Sequence, residues 1–318
     1  MFTSFPAIFN KRGMGGSILS LEPSTWTSRQ ASPGDLYGVV YDGSTYWAAC
    51  GGAYNGGYLW YATNPTGGWT KRTDIPQDRY QRAIIHDGTY FINAGAEGRV
   101  YTATNPASTW TKNTSVSAHT NEFCVAYDGS TNYVISGDGD TPGYQISTAQ
   151  SPTGTWTIGE EPISSSAIKG VAYGNSKWVL CGASGKIATA TDPTGTWTLH
   201  ASSPLSGTIY SVFYGNGYWV AVSGSGELYT ATDPTSTWTE HASSPFANAL
   251  YGVTYANETW VAVGSNGKIL TCGKDPTGTW TLRLNLGSSW FWDVSYGSDG
   301  YWVAVGAAGI YTSPASSY

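Results

Sequence analysis

Residues 189–198 read TATDPTGTWT, and residues 230–239 read TATDPTSTWT. The two decamers are forty-one residues apart and differ at one position. Their Trp-Thr ending is a marker that can be followed through the chain. It recurs at Trp26, Trp69, Trp110, Trp156, Trp197, Trp238 and Trp280, with steps of 43, 41, 46, 41, 41 and 42 residues. Seven copies of a unit near 42 residues fall in the range of four-stranded propeller blades.

Each unit has the same interior. A loop follows the Trp, and then a short apolar run such as LYGVVY (36–41), YSVFY (210–214) or YGVTY (251–255). A turn (DGST, GNG, ANE) leads to a second run such as YWAAC, KWVLC or YWVAV. A Gly-rich turn leads to a third, such as RVYTAT, KIATAT or ELYTAT, and the decamer's own turn leads to the Trp-Thr run. Runs of five or six β-branched and aromatic residues between Gly, Asp, Asn and Pro turns read as strands. The last unit stops after its third strand, GIYTSPASSY, while EPSTWT (22–27) supplies a fourth strand near the start. The expected fold is all-β: a seven-bladed β-propeller of four-stranded antiparallel blades over 24–318. Its last blade is closed by both termini, three strands from one and one from the other. Residues 1–23 form an extension, read equally as a docking arm or as a strap across one face.

The decamer itself is a turn between the third and fourth strands. Asn64, Asn105, Asp192, Asp233 and Asp275 precede a proline and can bond their own backbone two residues on, and Ser151 takes that place in the third repeat. The stretch Thr191-Asp192-Pro193-Thr194-Gly195-Thr196-Trp197 resembles the Asp-box of the BNR/sialidase-like propellers, Ser/Thr-x-Asp-x-Gly-x-Thr-Trp, with one extra residue between Asp and Gly. The resemblance implies the fold; in that family the box is structural and lies away from the active centre. The repeats also look like those of propellers carried by bacteriophage virions, a likeness of repeat style.

Charged residues make up only 11% of the 318-residue chain and the net charge is −6, which argues against a nucleic-acid binder. No apolar run of eighteen residues is present, so no membrane-spanning helix is expected. The start lacks a basic stretch followed by an apolar core, so no secretion signal is expected. Cys50, Cys124, Cys181 and Cys272 stand singly and read as buried free thiols.

In a propeller the loops open on two faces. The face at the ends of the inner strands carries Asp42, Asp87, Asp128, Asp192, Asp233, Asp275, Glu258 and Asp299 against Lys177 and Lys274. The opposite face, here the upper one, is assigned Arg29, Arg72, Arg79, Arg82, Arg99 and Arg283. Aligning the repeats on Tyr41 gives one position at the upper channel mouth: Tyr37, Arg82, Phe123, Lys169, Tyr210, Tyr251 and Trp292. The next residue is small in six repeats, but Asp293 in the seventh, flanked by Trp290 and Trp292. A repeated residue serves the scaffold, so a departure from the repeat points to another role. Trp290, Trp292 and Asp293 are therefore read as a glycan-binding element, with ring faces on the sugar and the carboxylate accepting from its hydroxyls. The alternative is blade-on-blade packing of these rings.

Two loops also depart from the repeat. TKRTDIPQDRYQR (70–82) concentrates charge, including Arg79. GDGDTPG (137–143) holds Asp138 and Asp140 but lacks the distal glutamate of a calcium loop. His200 and His241 read as loop consensus, and His86 replaces a tyrosine of the other repeats. No cofactor and no metal are expected.

The expected function is non-enzymatic: a binding or structural propeller of a phage virion (tail, fibre or capsid surface) that recognises a cell-surface glycan or a protein partner. Such a chain would be made in the host cytoplasm and built into a particle, as a homo-oligomer or among other virion subunits. One alternative is a purely architectural virion subunit. Another is a sialidase-type hydrolase, with Arg79, Arg82 and Arg283 as the arginine triad and Tyr37 and Glu122 nearby, though the Arg-Ile-Pro-like motif of that family is missing.

Overall fold

A computed structural model describes residues 22–31, 34–53, 56–72, 79–113, 121–138, 146–159, 163, 167–200, 205–241 and 248–315, apart from the side chains of residues 121–123 and 138. Most of the N-terminal extension, most of the 137–143 loop and residues 73–78 therefore lie outside the described residues.

The described chain forms seven four-stranded antiparallel sheets. In blade 1 the strands are Leu36–Tyr41, Trp47–Ala53, Gly56–Ala62 and Thr70–Arg72, paired in chain order from the inner strand outwards. Blades 2 to 6 repeat this order over 81–113, 121–158, 168–200, 209–240 and 250–284. Blade 7 consists of Phe291–Tyr296, Tyr301–Gly306 and Gly309–Pro314, closed by Thr27–Gln30. The closing strand pairs Thr27 with Thr312, and Arg29 Nε donates to Thr312 Oγ1 at 2.8 Å. The only helical element among the described residues is a 3-10 turn, Ala183–Gly185.

There is no single central core. Seven buried apolar clusters occupy the seven junctions between neighbouring blades. Side chains alternate between the two faces of a strand, and both faces of each blade meet another blade. Each junction takes a fourth-strand Trp from one blade; Trp280, for example, packs with Trp260 and Phe213. The second-strand residues Trp47, Trp178, Trp219, Trp260 and Trp302 are fully buried.

The decamer turn is built as its residues require. Asp192 Oδ1 accepts from Thr194 N at 2.9 Å and Thr194 Oγ1 at 2.7 Å, and Asp233 and Asp275 do the same for Thr235 and Thr277. The Trp four residues after the proline then donates its indole N–H to the proline carbonyl, as at Trp238 (3.3 Å) and Trp280 (3.0 Å). In blade 7, where Glu22 stands in place of that proline, Trp26 Nε1 is buried without a partner among the described residues.

Candidate functional site

All seven inner strands carry a β-bulge at the same place. The pairing between first and second strands slips at Tyr37, Arg82, Phe123, Lys169, Tyr210, Tyr251 and Trp292. These are the seven positions aligned from sequence. A bulged residue drops out of the ladder and its side chain is re-aimed. In six blades the residue after it is small, and the next blade's inner strand comes close: a Cβ on Gly38 would lie 3.1 Å from Ile84 N, and one on Gly252 would lie 2.9 Å from Trp292 O.

Most of the ring forms a continuous arc. The Arg82 guanidinium stacks over Tyr37 at 4.2 Å and over Tyr80 at 4.4 Å. Tyr37 meets Trp292 with centroids 5.8 Å apart, Trp292 meets Tyr251 at 4.3 Å, and Tyr251 meets Tyr210 edge-on at 5.1 Å. Trp290 extends the arc beyond Trp292 at 6.5 Å and is 46% exposed. Trp292 Nε1 has no hydrogen-bond partner among the described residues. Burial pushes the Tyr37 and Tyr251 phenols up; at Tyr37 the Arg82 charge opposes it. Lys169 is half-buried at its bulge, and the side chain of Phe123 lies outside the described residues.

The structure corrects three sequence expectations. Asp293 does not face the mouth. It follows the bulge, so its side chain turns into the joint between blades 7 and 1 and is only 4% exposed. There its Oδ2 accepts from Val39 N at 2.9 Å and its Oδ1 from its neighbour Val294 N at 2.8 Å. A carboxylate spent on backbone amides is not offered to sugar hydroxyls.

Second, the six arginines do not form one upper cluster. Arg29, Arg72 and Arg283 share one repeat position, three residues after the marker Trp, and act as clips. Arg72 donates to the Pro106 and Ser108 carbonyls in the lower turn of the next blade, both at 3.0 Å. Arg283 bonds Thr271 Oγ1 and pairs with Glu22. His200 and His241 hold the same position and are not loop decoration; each bonds a third-strand threonine, Thr189 at 2.7 Å and Thr230 at 2.6 Å. Aligning on the Trp as well as on Tyr41 reveals this pattern.

Third, Arg283 lies on the outer strand of blade 6, whereas Arg82 lies on the inner strand of blade 2, so Arg79, Arg82 and Arg283 do not converge. Arg79 and Arg99 instead hold Glu97, at 2.5 and 2.8 Å. The contributions of Tyr80 and Glu97 to this end of the arc were not visible in the repeat, because they lie in loops that the alignment leaves out. No group of three His, Cys, Asp or Glu placed to hold a metal occurs among the described residues.

No family model matches the chain, and no curated protein matches it. Solved structures do. YCF48 bound to a D1 peptide superposes with a TM-score of 0.73 at 15% identity, covering 95% of this chain and 100% of that one. The WD40 propeller domain of Doa1 gives 0.70 at 12% identity over 91% of this chain and 96% of the domain. YCF48 from Cyanidioschyzon merolae gives 0.67 at 12% identity over 91% and 98%. At these identities the similarity establishes the propeller fold. The likeness to Asp-box and virion propellers stays a sequence expectation.

Proposed function

We propose that the chain is a non-enzymatic binding propeller that takes a segment of a protein partner at the upper channel mouth. The observation that carries this is the coincidence of the bulge with the variable position. The scaffold re-aims one residue per blade out of the ladder, and at that place the repeat stops repeating. The arc that results is made of Trp, Tyr and Arg, the residue types enriched in the energetic centres of protein interfaces. The peptide held by YCF48 supports the same use of this fold.

A glycan is less well served. The rings of the arc lie at 81°, 38° and 50° to one another, packed on their neighbours rather than open, and among the described residues of the mouth only Trp290 offers a large exposed face. The test is a peptide-library screen with a glycan array in parallel, on the native chain and on Trp292→Ser and Arg82→Ala variants of checked stability. Peptide binding weakened about tenfold, one interface residue's worth of about 1.4 kcal/mol, supports the proposal. Peptide binding unmoved by both substitutions, or glycan binding alone, overturns it.

One observation favours an architectural role. Ile158, Leu199 and Leu282 hold one position on the outer strands of blades 3, 4 and 6 and are 36%, 46% and 40% exposed. In that reading the rim makes lateral contacts within an assembly such as a virion.

A further inference from the structure

The lower mouth, opposite the bulge ring, has its own departure from the repeat. Six inner strands end on Tyr41, Tyr127, Tyr173, Tyr214, Tyr255 and Tyr296, each half-buried. The one in blade 2 ends on His86, which stacks on Phe91 at 4.6 Å as Tyr214 stacks on Trp219 at 5.0 Å. The imidazole is smaller than a phenol, and a cavity of about 290 Å³ lies beside it, lined by Tyr41, His86, Tyr127 and Tyr296 with Asp42 and Asp87. That volume is at the small end for a ligand pocket, enough for one small group.

The polar groups of the cavity differ in what they have left to give. Asp87 Oδ1 accepts from Thr89 N at 2.8 Å and Tyr90 N at 2.7 Å, and its Oδ2 accepts from the Tyr133 hydroxyl at 2.7 Å. Asp42 Oδ1 takes the bonds of its turn, from Ser44, Thr45 and Tyr46, while Oδ2 accepts none among the described residues. Gly88 N donates to His86 Nδ1 at 3.2 Å, so the neutral ring carries its proton on Nε2. Burial holds His86 below its ordinary value, so near pH 7 the ring adds no positive charge against the carboxylates. Burial, joined by the charges of Asp42, Asp87, Asp128 and Asp299, pushes the Tyr41, Tyr127 and Tyr296 phenols up, which is how a negative potential acts on them. Among the described residues the lower turns carry eight acids against Lys177 and Lys274, a field that concentrates cations.

We propose that this cavity is a second binding site, for a primary alkylammonium group: the tip of a lysine on a partner protein, or a free amine of the same length. The ammonium donates to Asp42 Oδ2, and its charge and alkyl chain lie against the rings of Tyr41, Tyr127 and Tyr296. With one oxygen uncommitted, Asp42 cannot offer the two parallel bonds that favour a guanidinium, whereas an ammonium is a point charge. The cavity is at the opposite end of the channel from the bulge ring, so this stands or falls separately from the upper-mouth proposal.

The test is saturation-transfer difference NMR on the full chain, titrated with n-butylammonium and with its neutral counterpart, 1-butanol. Saturable binding of the ammonium is expected, with the alcohol much weaker. Asp42→Asn keeps the Oδ1 acceptor its turn needs and should weaken binding about fivefold, the worth of one partly exposed ion pair. Glu258→Gln takes the same charge from an exposed place on the lower face outside the cavity and should change binding less than about twofold, because salt screens it. His86→Tyr installs the residue six blades already carry there and should remove the saturable binding with the fold intact. A capped glycine peptide with one lysine, titrated alongside, tells the sources apart. Binding at least as tight as that of the free amine assigns the site to a partner's lysine, and binding of the free amine alone assigns it to small amines. The proposal is overturned if n-butylammonium shows no saturable binding, if 1-butanol binds equally well, if Asp42→Asn and Glu258→Gln weaken binding alike, or if His86→Tyr leaves it unchanged.

Discussion

Burial pushes the Asp293 carboxyl up to about 7, against the pull of the Val39 and Val294 amides that favour its charged form. An unfolded aspartate titrates near 3.9. Because the folded value is the higher one, the folded state holds the proton more tightly than the unfolded chain. This contribution to stability is therefore greatest below about pH 4 and is lost as pH rises through about 7. Asp293→Asn removes the titration while keeping one acceptor at the blade 7–blade 1 joint. Melting curves of both proteins across this range should diverge as pH rises, the native chain losing more. Parallel profiles would show that the carboxyl does not titrate in the fold. The four cysteines make a second test at this scale. All are buried and free, and burial pushes each thiol up, Cys272 to about 11. A thiol reagent near pH 8 should modify none of them in the native protein and all four after unfolding.

In each blade the bulge and the decamer turn do different work. In six blades a small residue follows the bulge, and at Gly252 an added methyl would meet the backbone of Trp292 and Asp293, which has little room to yield. Gly252→Ala should cost about 1–3 kcal/mol as overpacking, measured by urea unfolding. It should also disturb the upper mouth, because the atom it strikes is the carbonyl of a ring residue. An unchanged midpoint would mean the two inner strands can part freely. In the turn, Asp233 bonds Thr235 twice and also pairs with Lys177, a partly exposed ion pair. Turn bonds are worth about 1 kcal/mol together, and an exposed pair less. Asp233→Ala should therefore destabilise more than Lys177→Ala; the reverse order would place the weight on the ion pair.

For the ring as a whole, closure rests on Thr27–Gln30 covering the edge of Gly309–Pro314. Additional bonds hold blade 7 to blade 1: Asp293 to Val39 N, Trp47 Nε1 to Asp299 at 2.7 Å, and Ser298 Oγ to Gly43 O at 3.0 Å. A chain starting at residue 32 lacks the closing strand and leaves an unpaired edge of apolar character. Such edges pair with other chains. Light scattering should show this truncated chain to be self-associated where the full chain has a single defined size; a truncated chain of the same state as the full one would mean three strands suffice for blade 7.

The repeat, its count, its strand order and the stitching of blade 7 were legible in the sequence, because each follows from residues near one another in the chain: alternation within a run, an Asx turn before a Trp, a period of about 42. The ring positions were legible too, since a small residue after six of the seven records how closely the next blade approaches. What only the tertiary structure decided was direction. Whether Asp293 faces a ligand or a neighbouring blade depends on a single bulge that reverses the pleat, and a bulge leaves no letter of its own. Whether Arg72 and Arg283 belong to a site or to a clip depends on a turn in the next unit or, for Arg283, on the chain's start. These contacts cross between blades, and their meaning is set by packing that no one repeat contains.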